Sequence, residues 1–151
     1  MTKILMVCLG NICRSPLAEG ILSSLDISNQ LLVDSAGTSA YHVGELPDAR
    51  SIEIARLNGI DITNQQSRKF NINDFDTFDV IYAMDISNYN DLMEIARNKN
   101  EKQKVKLILN ELHPNKNLSV PDPYYDGEQG FTVVFDMLYD SCKLIIKKYT
   151  E

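Results

Sequence analysis

A chain of 151 residues, 44% hydrophobic and 24% charged, has the size and balance of one globular domain spanning residues 1–151, large enough to bury a core without disulfides or metals. Its formal net charge of −6 argues against a nucleic-acid partner and against a basic membrane-binding surface, and no run is long enough for a membrane span. The three cysteines, Cys8, Cys13 and Cys142, are an odd count without framework spacing, and the opening apolar run is too short for a signal segment, so free thiols in a reducing cytoplasm are expected.

Lys3 to Cys8 is nearly all apolar, the pattern of a strand buried on both faces of a parallel sheet. Leu17, Ala18, Ile21, Leu22 and Leu25 recur at helical spacing, so a first helix is expected from Pro16 to Leu25. Leu31 to Ser35 reads as a second strand and Ala36 to Pro47 as a loop. A second helix begins at Pro47-Asp48 and stops at Asn58-Gly59, a C-terminal signal. The polar stretch Ile60 to Thr77 is irregular, with a helical turn near Ile72 to Phe75. Asp79 to Met84 reads as a third strand, Ser87 to Arg97 as a helix, Asn98 to Lys104 as a solvated connector, and Val105 to Leu109 as a fourth strand. A loop carrying Pro121 to Gly130 leads to a last helix from Gly130 to Lys148. The alternation predicts an α/β domain in three layers, a four-stranded parallel sheet with helices on both faces.

The chemistry concentrates between the first strand and the first helix, in Val7-Cys8-Leu9-Gly10-Asn11-Ile12-Cys13-Arg14-Ser15-Pro16. A strand turning sharply into a helix aims successive backbone N–H groups and the positive helix end at one point, which makes an anion nest of residues 9–15. Cys8 heads that nest, where the same dipoles favour the nucleophilic thiolate. Arg14 adds a planar fork able to hold two phosphate oxygens. Ser15 suits the N-cap position and offers a hydroxyl to the sulfur, Pro16 suits the first helical position, and Asn11 tolerates unusual backbone angles. Cys13 is either a small hydrophobe or a thiol partner for Cys8, and Cys142 reads as core filler. Asp122 lies between two prolines, either as an acid/base carboxyl or as a turn aspartate. Tyr124 and Tyr125 either wall a cleft or pack a loop. His42 and His113 have no ligand spacing around them and read as surface or loop residues, so neither a metal nor a cofactor is expected.

Val7 to Pro16 resembles the active-site loop of the low-molecular-weight protein tyrosine phosphatases, and Asp122-Pro123-Tyr124-Tyr125 resembles that family's general-acid loop. Asp34-Ser35-Ala36-Gly37-Thr38 and Met84-Asp85 extend the likeness over nearly the whole chain. The resemblance implies this same fold, hydrolysis of a phosphotyrosine-containing protein through a cysteinyl-phosphate, and inorganic phosphate as product. It implies catalytic roles for Cys8, Arg14 and Asp122, with Leu9, Gly10, Asn11, Ile12, Cys13, Arg14 and Ser15 around the phosphate. It also implies substrate contacts from Ile12, Tyr41, Tyr124 and Tyr125, support of Asn11 by Ser35, and a redox role for Cys13. Asn64 falls about where many relatives carry a histidine that braces the loop.

Three rivals share the fold or the loop. Arsenate reduction needs further cysteines to relay a disulfide, and residues 72–98 contain none. Phosphoarginine hydrolases resemble this chain but carry threonine where Ile12 stands. A phosphocysteine carrier or a phosphate-binding module is disfavoured by Asp122, because a carrier must keep its phosphocysteine from water.

Overall fold

The structure, a computed structural model, describes residues 1–150, apart from the side chain of Tyr125. Strands β1 (Thr2–Cys8), β2 (Leu31–Gly37), β3 (Val80–Ala83) and β4 (Val105–Leu107) form one parallel sheet in the order β2-β1-β3-β4. Helices α1 (Arg14–Leu25), α2 (Ala49–Leu57), α3 (Asp74–Thr77), α4 (Ile86–Ile95), α5 (Lys99–Lys104) and α6 (Gly127–Thr150) complete the fold.

The sheet is covered on both sides, as the unbroken apolar run in β1 requires. Alternate side chains of a strand point to opposite faces. Ile4, Met6 and Cys8 join Leu17, Ile21, Val134, Leu138 and Ile145 under α1 and α6. Leu5 and Val7 pack instead with Phe70, Phe75, Leu92 and Leu107 under α3 and α4. Ile4 to Val7 are wholly inaccessible, and each such side chain contributes about 1.5–3 kcal/mol of burial. β1 is therefore the most firmly seated element near the site, and its carboxyl end lies where the chain order reverses between β1 and β3. Sheets of this kind place ligands at that crevice.

Several boundaries differ from the sequence expectation. The charged connector 98–104 contains α5, because Asn98 caps it by accepting from Glu101 N–H and the buried Glu101 carboxylate pairs with Arg97. β4 stops at Leu107, and Ile108–Asn110 form a 3-10 turn held where the Asn110 side chain bonds Asn117. The last helix starts at Gly127 rather than Gly130. α1 begins at Arg14 with Cys13 at its cap position, so Ser15 lies inside the first turn instead of capping it. Pro16 is then the third helical residue, still among the first four whose N–H lacks an intrahelical partner.

Candidate active site

Residues 9–13 turn from the end of β1 into α1, and neighbouring segments hold their carbonyls. Thr38 N–H donates to Cys8 O, Ser39 N–H to Leu9 O and Asp48 N–H to Ile12 O, at 3.0, 2.9 and 2.8 Å. Ser67 Oγ donates to Gly10 O at 2.9 Å and Ser51 Oγ to Cys13 O at 3.3 Å. With the carbonyls of Cys8, Leu9, Gly10, Ile12 and Cys13 engaged, the N–H groups of residues 9–13, none bonded to an acceptor among the described residues, are the loop's available donors. Free N–H groups converging in this way are what an anion nest requires.

Asn11 holds the bend in the left-handed region at φ 57°. Its Oδ1 accepts from Arg68 N–H at 3.0 Å, while Nδ2 donates to Ser15 Oγ and Ser35 Oγ at 2.8 and 2.9 Å. Ser15 Oγ lies 3.0 Å from Cys8 Sγ, and since that oxygen already accepts from Asn11, its own hydrogen is free to point at the sulfur. Cys8 is 2% exposed, so the sulfur is approached only through the cleft that the loop floors.

Arg14 is equally buried. One edge of its guanidinium is committed, with NH1 donating to Asp85 Oδ2 at 2.6 Å and to Val120 O at 3.0 Å. NH2 lies 3.8 Å from Asp122 Oδ2. Burial opposes the Arg14 charge, but Cys8, Asp85 and Asp122 outweigh it and raise the guanidinium above its ordinary value. The arginine is thus a fixed cation with an edge left for ligand oxygens.

The two carboxyl oxygens of Asp122 have different neighbours. Oδ1 accepts from Tyr124 N–H at 3.1 Å and caps a 3-10 turn over Pro123–Tyr125, while Oδ2 faces Arg14 across the cleft. The side chain is 44% exposed and so can exchange a proton with water.

The cleft, of about 230 Å³, is floored by Ile12 and Gly10 and bordered by Tyr41, His42 and Tyr124. Tyr41 is 90% exposed at the lip. Tyr124 lies over the Arg50 guanidinium at 5.4 Å, and that guanidinium also covers Phe131 and pairs with Asp48. The side chain of Tyr125, expected at the same wall, lies outside the described residues. Cys13 faces the same cleft as a free thiol, pushed up to about 12 by burial, then by Asp48, Cys8 and Asp122. Cys142 is buried between α6 and α1, its burial raising the thiol far above its ordinary value.

His42 lies in a turn, as expected of a loop histidine; its ring packs on Gly10, where a Cβ would meet Cδ2 at 3.0 Å, and its Nδ1 sits 2.8 Å from Glu45. Asn64 is exposed, and bracing of the phosphate loop falls instead to Ser67 and Arg68, with Gln65 Nε2 donating to Pro16 O at 3.0 Å. His113 is exposed, and no cluster of His, Cys, Asp and Glu suited to a metal occurs among the described residues. Among the described residues no helix is long and apolar enough to cross a membrane.

Sequence reasoning missed Asp85 and the Val120 carbonyl as the groups that orient Arg14. Met84-Asp85 is part of the family likeness, which gave Asp85 no role, and its place at the end of an apolar strand before a helix marks it as a cap, which it is to α4 by accepting from Asn88 N–H at 2.7 Å. Val120 reaches the site because its N–H bonds Met84 O at the end of β3, a pairing with no local signal.

A family model described as low molecular weight phosphotyrosine protein phosphatase matches residues 3–151. The mouse low molecular weight phosphotyrosine protein phosphatase is 41% identical over 151 residues, an alignment covering 97% of this chain and 94% of the mouse protein. A crystal structure of a protein tyrosine phosphatase from Entamoeba histolytica, with Hepes in its active site, superposes with a TM-score of 0.89 at 39% identity, covering 98% of this chain and 96% of that one. The Drosophila arginine phosphatase superposes with a TM-score of 0.91 at 33% identity, covering 99% of each chain.

Proposed function

The chain belongs to the low molecular weight phosphotyrosine protein phosphatase family, and from that premise we propose that it hydrolyses phosphotyrosine in proteins through a cysteinyl-phosphate on Cys8. The observation that carries the reading is the nest itself: a buried sulfur met by the Ser15 hydroxyl, at the head of a loop whose carbonyls are tied back and whose arginine is fixed by Asp85.

The Cys8 thiolate attacks phosphorus, and the bond from phosphorus to the tyrosine oxygen breaks. Asp122 Oδ2 supplies the proton that the departing phenolate takes up. Loop N–H groups and the uncommitted edge of Arg14 hold the equatorial oxygens, where charge is spread in the transition state. In the second half Asp122, now a carboxylate, takes a proton from water as the water oxygen attacks phosphorus. The sulfur–phosphorus bond breaks, inorganic phosphate leaves and the thiolate is restored. The Tyr124 N–H on Oδ1 anchors the carboxyl and leaves Oδ2 for the proton transfers.

Ile12 at the floor and Tyr41 and Tyr124 at the border favour a flat aryl group over a short aliphatic phosphoester. The likeness to the Drosophila arginine phosphatase makes phosphoarginine the second reading, and the apolar Ile12 speaks for the phenyl ring. The free thiols are in keeping with work in a reducing cytoplasm.

The test is turnover of phosphotyrosine, phosphoserine and phosphoarginine peptides by wild type and Cys8→Ser. Phosphotyrosine peptide is expected to be cleaved fastest, and Cys8→Ser to bind phosphate without turning anything over. Full activity in Cys8→Ser would end the reading, and preference for phosphoarginine would move it to the rival.

A further inference from the structure

Behind the phosphate loop a run of side-chain hydrogen bonds continues past the residues named so far and ends on a carboxyl. Ser35 Oγ, which accepts from Asn11 Nδ2, donates to Glu19 Oε1 at 2.6 Å. Glu19 is a half-buried residue of α1, four positions beyond Ser15 and on no wall of the cleft. We propose that Glu19 is a positioning residue for Cys8: by accepting from Ser35 it fixes the hydroxyl that holds Asn11, and Asn11 in turn aims the Ser15 hydroxyl at the sulfur.

The polarity of the run follows from its donors. Asn11 Nδ2 has two hydrogens, and both are used, one on each serine oxygen. Arg68 N–H on Oδ1 rules out a flipped amide. Each serine therefore accepts from the amide and has one hydrogen to give, Ser15 to Cys8 and Ser35 to Glu19. Without an acceptor at Glu19 the Ser35 hydrogen has no fixed direction, and its oxygen no longer holds a lone pair on Asn11. The amide then loses one of its anchors, and with it the orientation that serves Ser15.

The carboxyl also makes the grip depend on pH. Burial is the main reason its value is raised to about 7, the Ser35 bond and Arg68 pulling it down and Asp34 adding to the rise. The charged neighbours from the packed elements are Asp34 on β2 and Arg68, which itself pairs with Asp34 and Asp74. A carboxylate accepts a hydrogen bond more strongly than a neutral carboxyl, so the hold on Ser35 tightens as pH rises through about 7. Stability moves the other way. A folded value raised from 4.5 to about 7 contributes stability that is fully present below 4.5 and lost as pH rises through about 7.

The proposal rests on Cys8 being the nucleophile, and its test reads Cys8 without any phosphate substrate, so its failure is separable from failure of phosphotyrosine hydrolysis. The rate of Cys8 alkylation by iodoacetate, followed by mass spectrometry of the peptide, is compared in wild type, Glu19→Gln, Glu19→Leu and Ser35→Ala between pH 5 and 8.5. Glu19→Gln keeps an acceptor of the same shape. It is expected to match wild type at the acid end, to lack the change in rate near pH 7, and to melt increasingly above wild type as pH rises from 4.5 to 7. Glu19→Leu and Ser35→Ala are expected to slow alkylation about tenfold, an effect of one decade in the barrier. Ser35→Ala leaves the carboxyl in place, so it decides the matter where Glu19→Leu fails to fold. Wild-type alkylation rates in Ser35→Ala, or an unchanged step near pH 7 in Glu19→Gln, would overturn the proposal.

Discussion

Gly37 at the end of β2 makes a prediction that is sharp because its neighbours are backbone atoms. A Cβ at this position would lie 2.7 Å from Leu9 O and 3.1 Å from both Asn11 N and Gly10 C. Ordinary contact begins near 3.4 Å, so the loop carbonyl in Gly37→Ala must retreat by about 0.7 Å, the difference between that distance and 2.7 Å. It cannot retreat alone, since Leu9 O accepts from Ser39 N–H and Gly37 N–H is itself tied to Arg68 O. Overpacking of this kind costs about 1–3 kcal/mol of stability, while a misplacement approaching 1 Å in a positioned site costs up to about 10²-fold in rate. Gly37→Ala is therefore expected to lose about 10- to 100-fold in kcat/KM on p-nitrophenyl phosphate, with a fall of about 1–3 kcal/mol in urea denaturation. Gly59→Ala is the control: its φ of 76° strains a side chain, but nothing lies within 4 Å, so stability falls by about 1–2 kcal/mol and kcat is unchanged. Gly37→Ala with kcat/KM within twofold of wild type would refute the claim that β2 sets the position of the phosphate loop.

Arg14→Lys keeps the charge and loses the fork, and kcat is expected to fall by about 10²–10³ with a smaller change in phosphate affinity; near-normal kcat would reduce Arg14 to a counter-charge. Asp122→Asn keeps an oxygen to accept from Tyr124 N–H, so the turn and phosphate binding should survive. Its rate on phenyl phosphates with poor leaving groups should drop by about 10²–10⁴, and far less on p-nitrophenyl phosphate; a uniform defect would make Asp122 a loop-positioning residue. Peroxide is expected to inactivate the enzyme reversibly and Cys13→Ser irreversibly, with equal recovery in the variant leaving Cys13 a packing residue. Because burial holds the Cys13 thiol near 12, its thiolate fraction and the rate of latching onto oxidised Cys8 should rise about tenfold per pH unit across the neutral range.

The parts of the site legible in the sequence are those built from contiguous residues. Cys8, Arg14 and Ser15 are brought together by a single strand-loop-helix turn, so spacing, glycine and proline announce them. Asp122 needed the family resemblance, because a proline-flanked aspartate in a turn looks the same with or without Oδ2 aimed at an arginine. Asp85 and Arg14 are 71 positions apart, and their pairing depends on β1 and β3 lying side by side, which only the sheet order specifies. Gly37 stood within the family likeness but without a role, since what it avoids is the backbone of another segment. Among the elements, α5 was hidden because its charge run looks solvated, whereas the buried Glu101 carboxylate is neutralised by Arg97 just ahead of the helix.

An enzyme of net charge −6 that binds a phosphodianion meets it with a cation already balanced, since Arg14 touches Asp85 and lies near Asp122 and the Cys8 sulfur. The cleft therefore has little surplus positive charge, and the attraction must come from N–H dipoles that act only within hydrogen-bonding reach. Long-range forces work against encounter, because the chain carries a net charge of −6 and an exposed carboxylate, Glu45, is paired with His42 at the cleft border. Salt screens those exposed charges beyond roughly 8–10 Å and leaves buried dipoles largely untouched. Raising ionic strength from low to physiological values should thus leave kcat unchanged and raise kcat/KM on a phosphotyrosine peptide with acidic flanks. A peptide with basic flanks should show the opposite trend. The measurement is steady-state kinetics on the two peptides across a salt series at fixed pH. A steep fall in kcat/KM with salt for the acidic peptide would mean that the cleft steers its substrate from a distance, and that Arg14 is not balanced by Asp85 and the Cys8 sulfur.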